Sequence, residues 1–425
     1  MKMRDAGLFA LVAALLVLTG MMQSWNLALQ ILNMGLISAI MALGVNLQWG
    51  FAGLFNVGVM GFVALGGLAV ALTAMPPVGD AWRAGGLGVF SALIVAAVAI
   101  TLAVVIWRKR LPARGWLVAA VLLVGFILYR ELFDPARDAI EAVNPALQGN
   151  LGGLGLPVLF SWPVGGLLAA GAAWLIGKTA LGLRSDYLAI ATLGIAEIIL
   201  AVMKNEDWLA RGVKNVIGVP SPLPTAVELQ ENAGFAARFA DPITASTIGV
   251  KLGYAVLFAV VLIALIVLMQ LALKSPWGRM VRAIRDNETA AEAMGKDVTR
   301  RHLQIFILGS AFCGLAGAMM TTVDGQLVPG TYQPLRFTFL IWVMVIVGGS
   351  GNNFGAVLGG MLIWFLWVQV EPVGAWLIGA LTSGLPEGAF KDHLMDSAAY
   401  MRLFTMGLVM LLVLRFSPRG LIPER

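Results

Sequence analysis

The chain has 425 residues, of which 59% are hydrophobic and only 12% charged, with 50 glycines and a mean hydropathy of +0.87. A soluble protein carries about a quarter charged residues; this share, with apolar runs close to the ~20 residues that cross ~30 Å of hydrocarbon, excludes a water-soluble protein and predicts an all-α polytopic transmembrane helical bundle, not a barrel of short alternating strands. The net charge of +6 comes mostly from basic residues flanking the apolar runs, which points to membrane lipid and not to nucleic acid.

In chain order, the apolar runs predict about twelve spans, over roughly residues 7–23, 27–48, 54–75, 86–107, 115–132, 162–181, 187–203, 251–273, 303–322, 337–348, 354–370 and 400–416. No cleavage pattern follows the first run, so Gly7–Met22 is expected to stay as a helix. If Lys2 and Arg4 are cytoplasmic, the basic stretches 108–114, 182–186, 274–302 and the tail all fall on that side, with both termini. The loop 204–250 is mixed in charge, and the Pro-containing stretches 133–160 and 218–250 read as external loops. Tryptophans 25, 49, 82, 107, 116, 162 and 208 lie near span ends, where interface anchoring is expected.

Two runs are irregular. "NLQWGFAGLFNVGVMGFVALGG" (Asn46–Gly67) and "VGGSGNNFGAVLGG" (Val347–Gly360) are dense in glycine and amides. Glycine allows close helix approach, and broken backbone at membrane depth is tolerated only against protein or a water-filled path. Tight packing and a substrate route are both open readings, with Asn46, Asn56 and Thr192 as route candidates or ordinary interhelical hydrogen-bonders. Glu197, inside "ATLGIAEIILAV", is an intramembrane carboxylate; it either pairs with Arg184 or Lys204 or faces substrate.

"SPWGRMVRAIRDNETAAEAMGKDV" (Ser275–Val298) holds eight charged residues between two apolar runs. Ser-Pro suits a helix start, Glu288, Glu292 and Lys296 follow at i, i+4 spacing, and Gly295 is placed to stop the helix. One short helix is predicted, with small residues and both charge signs on its surface. It either holds lipid headgroups or docks a soluble partner.

This segment closely resembles the cytoplasmic coupling loop of LivM-type permease subunits in branched-chain amino-acid ABC importers. The resemblance continues in "LRSDYLAIATLGIAEI" (Leu183–Ile198), "GLAGAM" (Gly314–Met319), "VIVGGSGNNFGAVLGG" (Val345–Gly360) and "LRFSPRGLIP" (Leu414–Pro423), and covers most of 26–75 and 160–425. It implies a bacterial inner-membrane permease with separate ATP-binding subunits, a second, LivH-type permease subunit and a periplasmic substrate-binding protein. It implies ATPase coupling at Arg282, Asp286, Glu288, Glu292 and Gly295. The family's Glu-Ala-Ala pattern before the glycine is met imperfectly: Glu292-Ala293 lies too close to Gly295 and Glu288 one place too far. Residues 78–160 have no counterpart in the family core and read as an inserted two-span region around "WRKRLPARG" (Trp107–Gly115). Asn56 and Val59 stand where a serine and a histidine are expected, and Arg211–Pro220 departs from a more glycine-rich loop, which leaves urea, short amides or other amino acids open as cargo.

The chain has no G-x-x-x-x-G-K-[ST], so ATP hydrolysis falls to another protein and the chain is expected not to be an enzyme. A secondary transporter would show inverted repeats and midplane charges; no clear repeat is seen. The single cysteine, Cys313, and two histidines, His302 and His393, argue against a disulfide framework, a metal site or a membrane enzyme, and no cofactor is expected.

Overall fold

Apolar runs of this length can satisfy their backbone in hydrocarbon only as helices, and every predicted span contains a helix, although the run 54–75 is helical only from Val59. The computed structural model describes residues 3–109, 113–145, 149–383 and 388–424, so part of the basic turn after Trp107, at Arg110–Pro112, lies outside the described residues. The principal helices are α1 (Met3–Met22), α2 (Trp25–Gly50), α3 (Val59–Ala74), α4 (Gly79–Arg108), α5 (Arg114–Glu141), α6 (Val158–Ala180) and α7 (Ser185–Asn205). They continue as α8 (Pro242–Lys274), α9 (Pro276–Asp286), α10 (Glu288–Ala293), α11 (Val298–Asp324), α12 (Leu335–Gly348), α13 (Asn353–Thr382), α14 (Ala389–Asp396) and α15 (Met401–Phe416).

Among the described residues nine helices are long and apolar enough to span, or ten if the bent pair α14–α15 forms one span. The expected twelve therefore include two helices that fall short, α3 and α12. The 16 residues of α3 reach only about 24 Å at 1.5 Å per residue. The deficit before α3 is filled by the non-helical stretch after Ala52.

Two loop assignments also shift. Residues 133–141 continue α5, with Pro135 inside the helix. Residues 242–250 open α8: the Asp241 carboxylate accepts from the amides of Ile243 and Thr244, and Pro242 follows at the first helical position, where its missing donor costs nothing. Trp162 is no interface anchor; it is buried in the core and donates to Thr322 Oγ1 at 3.0 Å.

The core lies around α2, the most buried spanning helix, with 83% of its apolar window inside the protein. It packs against α1, α8, α11 and α13. Helices α3, α6 and α11 meet where side chains vanish. A Cβ on Gly66 would stand 1.8 Å from the Gly314 carbonyl oxygen, and one on Gly314 2.4 Å from that of Gly165. Such contacts replace the hydrophobic drive that is missing between helices in lipid.

Helices α4 and α5 form a hairpin with a small core of its own, Ala81, Val89, Ala92, Phe133, Ala136 and Ile140. Trp208 closes one end, edge-on to Phe133 at 5.5 Å.

The chain's ends share one face, here the proximal face. Arg4 donates to the Leu421 carbonyl, and the Leu421 and Ile422 amides donate to the carbonyls of Val347 and Gly348. At the opposite, distal face the loop strand β1 (Val216–Ile217) pairs antiparallel with β2 (Gln326–Leu327). The N-terminal helix, the 347–348 turn and the tail thus meet on one face, and residues 216–217 meet 326–327 on the other.

Candidate functional site

The first part of the site is the break between α2 and α3. The last turn of α2, Asn46–Gly50, widens into a π-helix, the Gly53 amide closes the turn on the Trp49 carbonyl, and residues 54–58 run without helical hydrogen bonds. Their polar groups sit at the depth of Gln48 and must be satisfied by protein. Gln48 donates to the Phe306 carbonyl at 2.9 Å and to Ser310 Oγ at 3.0 Å, and its Oε1 accepts from Asn56 Nδ2 at 2.8 Å. Asn56 Oδ1 then accepts from the Gly58 amide, while Trp342 Nε1 donates to the Asn56 carbonyl at 3.0 Å. Thr192 Oγ1 receives the Val57 amide at 3.1 Å, and Thr338 Oγ1 receives that of Met60. Nearer the proximal face, Asn46 Oδ1 accepts from the Gly351 amide at 2.8 Å and its Nδ2 donates to Asn353 Oδ1 at 3.3 Å. All these amide and hydroxyl side chains are buried.

Three of the four route candidates, Asn46, Asn56 and Thr192, therefore gather at this break, and their side chains hold it in shape. Glycine is required for close approach at one point: a Cβ on Gly58 would meet the Thr192 carbonyl at 2.3 Å. Glu197 is elsewhere. It lies exposed two-thirds of the way along α7 and forms no ion pair with Arg184 or Lys204 among the described residues.

The second part is the charged segment. It is two helices and not one: Asn287 breaks it with extended dihedrals (φ −157°, ψ 98°) and caps α10 by accepting from the Ala290 amide. Helix α10 ends in a Schellman motif, with Gly295 N–H to Glu292 O and Lys296 N–H to Ala291 O, and Gly295 at φ 74°. The backbone turns away there, so the expected Glu292–Lys296 helical pair does not form. Val281, Ile284, Ala291 and Val298 face inward. Arg282 and Arg285 turn inward and are half-buried, whereas Arg279 is exposed. Arg279 and Arg282 donate to the carbonyls of Lys274 and Leu273, both at 3.3 Å. Arg285 ties three segments together: its Nη1 donates to the Gly50 carbonyl at 2.5 Å and lies 2.9 Å from Glu424, and its Nη2 lies 3.2 Å from Asp286. The two carboxylates outweigh burial and raise the guanidinium pKa further, so this cation persists at any physiological pH. Glu288, Thr289, Ala290, Glu292, Ala293 and Lys296 remain exposed, around Met294 at 77% exposure. Of the coupling candidates, Glu288, Glu292 and Gly295 lie on this open surface, Asp286 is exposed at its edge, and Arg282 is turned into the protein.

The model of the branched-chain amino acid transport system permease component matches residues 27–145 and 139–414. The chain belongs to that family. It is a multi-pass membrane protein, 31% identical over 231 residues to the high-affinity branched-chain amino acid transport system permease protein LivM of Escherichia coli (strain K12), covering 53% of each chain. It is 25% identical over 321 residues to the probable branched-chain amino acid transport permease protein LivM of Methanocaldococcus jannaschii, covering 74% of this chain and 82% of that one. To the probable LivH permease of the same organism it is 31% identical over 212 residues, covering 49% of this chain and 60% of that one. The chain spans about half the length of the bacterial LivM proteins it matches. No solved structure matches it.

Reading the sequence alone gave no site role to Gln48, Ser310, Trp342 and Asn353 at the break or to Arg285 at the charged segment. Gln48 and Asn353 carried a signal, since both sit in the two glycine-rich runs. Arg285 carried none: its acceptor, Gly50, is 235 residues away in the chain.

Proposed function

We propose that this chain is the membrane-spanning subunit of an ABC importer that moves branched-chain amino acids across the bacterial inner membrane. The proximal face, with both termini, is cytoplasmic. Separate ATP-binding subunits dock on α10, a second LivH-type permease completes the pathway, and a periplasmic substrate-binding protein delivers the cargo at the distal face. The α4–α5 hairpin, with its separate small core, is an insertion that leaves the rest of the bundle undisturbed. The observation that carries the reading is the contrast within 276–295. Two of its arginines, Arg282 and Arg285, are anchored inward, while a capped helix of small and acidic residues stands free with a bare methionine at its tip.

A docked ATPase would push on α10. Arg285 passes the displacement to the Gly50 end of α2, and the hydrogen-bonded break after it lets α2 and α3 move separately. Glu292→Arg reverses charge on the free face, and Gly295→Val disfavours the left-handed helix end. Both variants are expected to lose ATPase subunits on co-purification while the chain stays folded. Proteoliposomes of the whole assembly should take up radiolabelled leucine with ATP and fail to take up urea. Normal subunit association and uptake in the folded double variant would return the segment to a lipid-facing loop.

A further inference from the structure

At the distal face, α2, α8 and α11 enclose a cleft of about 140 Å³ lined by Gln30, Asn33, Met34, Lys251, Val323 and Asp324. It holds one ammonium and one carboxylate, and the two form no ion pair with each other. Lys251 Nζ donates only to the Asn26 carbonyl, at 3.1 Å. Asp324 makes no hydrogen bond or ion pair among the described residues; Arg336 acts on it only through space. Asn33 is 2% exposed and uses its Nδ2 on the Lys251 carbonyl at 2.9 Å, while its buried Oδ1 has no partner. A buried acceptor left empty costs free energy.

We propose that this cleft binds an amino acid as its zwitterion. The Asp324 carboxylate and Asn33 Oδ1 receive the ammonium, Lys251 with the Gln30 amide receives the carboxylate, and Met34 and Val323 face an aliphatic side chain. The separated charges are what such a ligand completes. Either charge alone would bind an ion of one sign, and the apolar pair would serve neither. The permease would then test the cargo a second time, after the binding protein has released it. The choice of amino acid as cargo rests on the proposed import function.

The test places a thiol in the cleft: Gln30→Cys in a Cys313→Ala background, with Val323→Cys as a second position should the first not assemble. In the purified assembly, labelling of this chain by a membrane-impermeant maleimide is followed by mass spectrometry. Leucine should slow labelling. Its two halves, 4-methylpentanoate and 3-methylbutylamine, each lack one charge and should need at least about tenfold more, as should leucine with Asp324→Asn. Asp324→Glu should restore part of the protection. Unchanged labelling at saturating leucine, or equal protection by 3-methylbutylamine, overturns the proposal. Leucine uptake is measured beside it. Uptake without protection rejects the cleft alone, protection without uptake rejects the import function alone, and neither rejects both.

Discussion

Gln48→Leu tests whether the break after α2 is held by its side-chain network. The substitution keeps the volume close and removes both donors and the acceptor. The Phe306 carbonyl is not stranded, because it still accepts within α11. Ser310 Oγ can turn back toward the same helix, as serines in helices do. What remains is Asn56 Nδ2, buried at 1% exposure with its only acceptor gone. An orphaned buried donor costs about 1–3 kcal/mol, whereas the lost interhelical bonds themselves average only about 0.6 kcal/mol each in membranes, so the orphan dominates. For a chain of this size that corresponds to a fall of roughly 1–6 °C in melting temperature. Cys313 supplies the assay: it is the single cysteine and 1% exposed, so a thiol-reactive dye in detergent reports unfolding. The discriminating measurement is the double variant Gln48→Leu/Asn56→Leu. If the cost lies in the orphan, the pair destabilises by less than the sum of the two singles, by about 1 kcal/mol. Strict additivity, or no shift for Gln48→Leu alone, would refute the account.

Gly66→Val should abolish folded protein, because the added Cβ falls 1.8 Å from a backbone oxygen that cannot retreat; detergent-extractable, monodisperse protein at normal yield would contradict this. Glu197→Gln should leave abundance and melting unchanged, since the carboxylate has no ion-pair partner among the described residues; only transport by the assembly should fall, and a drop in abundance would point to a structural pairing. Arg285→Gln removes a permanent charge from between Gly50, Asp286 and Glu424. It is expected to lower coupling, read as ATP hydrolysed per leucine imported, by several-fold at normal subunit association. Unchanged stoichiometry would show that α2 is not reached through this residue.

The positions of the helices were legible because hydrocarbon leaves an apolar chain no other option. Their lengths were not. Residues 53–58 are as apolar and glycine-rich as the helical run that follows them, and what holds them out of a helix is Thr192, on the Val57 amide, and Trp342, on the Asn56 carbonyl, both supplied by distant segments. The same holds for Trp162: its place near a span end says nothing about Thr322 waiting across the core. The charged segment was half legible. Gly295 announced its stop by chemistry, and Asn287 is a good cap whose role as a break is set by burying Ile284 on one side and Ala291 on the other. The direction of the arginines depends on carbonyls at the end of α8 and on Glu424, which no local pattern reveals. Glu197 was read as a pairing or route residue, and its exposure follows from which face of α7 packs on α3.

Helix α2 runs from Trp25 to Gly50 without interruption. Its proximal end is gripped by Arg285, and its distal end carries Gln30 and Asn33. Asn33 and Gly50 are seventeen positions apart, about 26 Å of helix. A rod of that length, jacketed on most sides, can tilt or slide but cannot easily bend. A one-ångström tug at the proximal end would therefore arrive at the distal cleft as a shift of Asn33 relative to Lys251 and Asp324, which ride on different helices. Emptying the cleft needs no gate of its own in such a design: the strut that closes it is also the lever that pries it open.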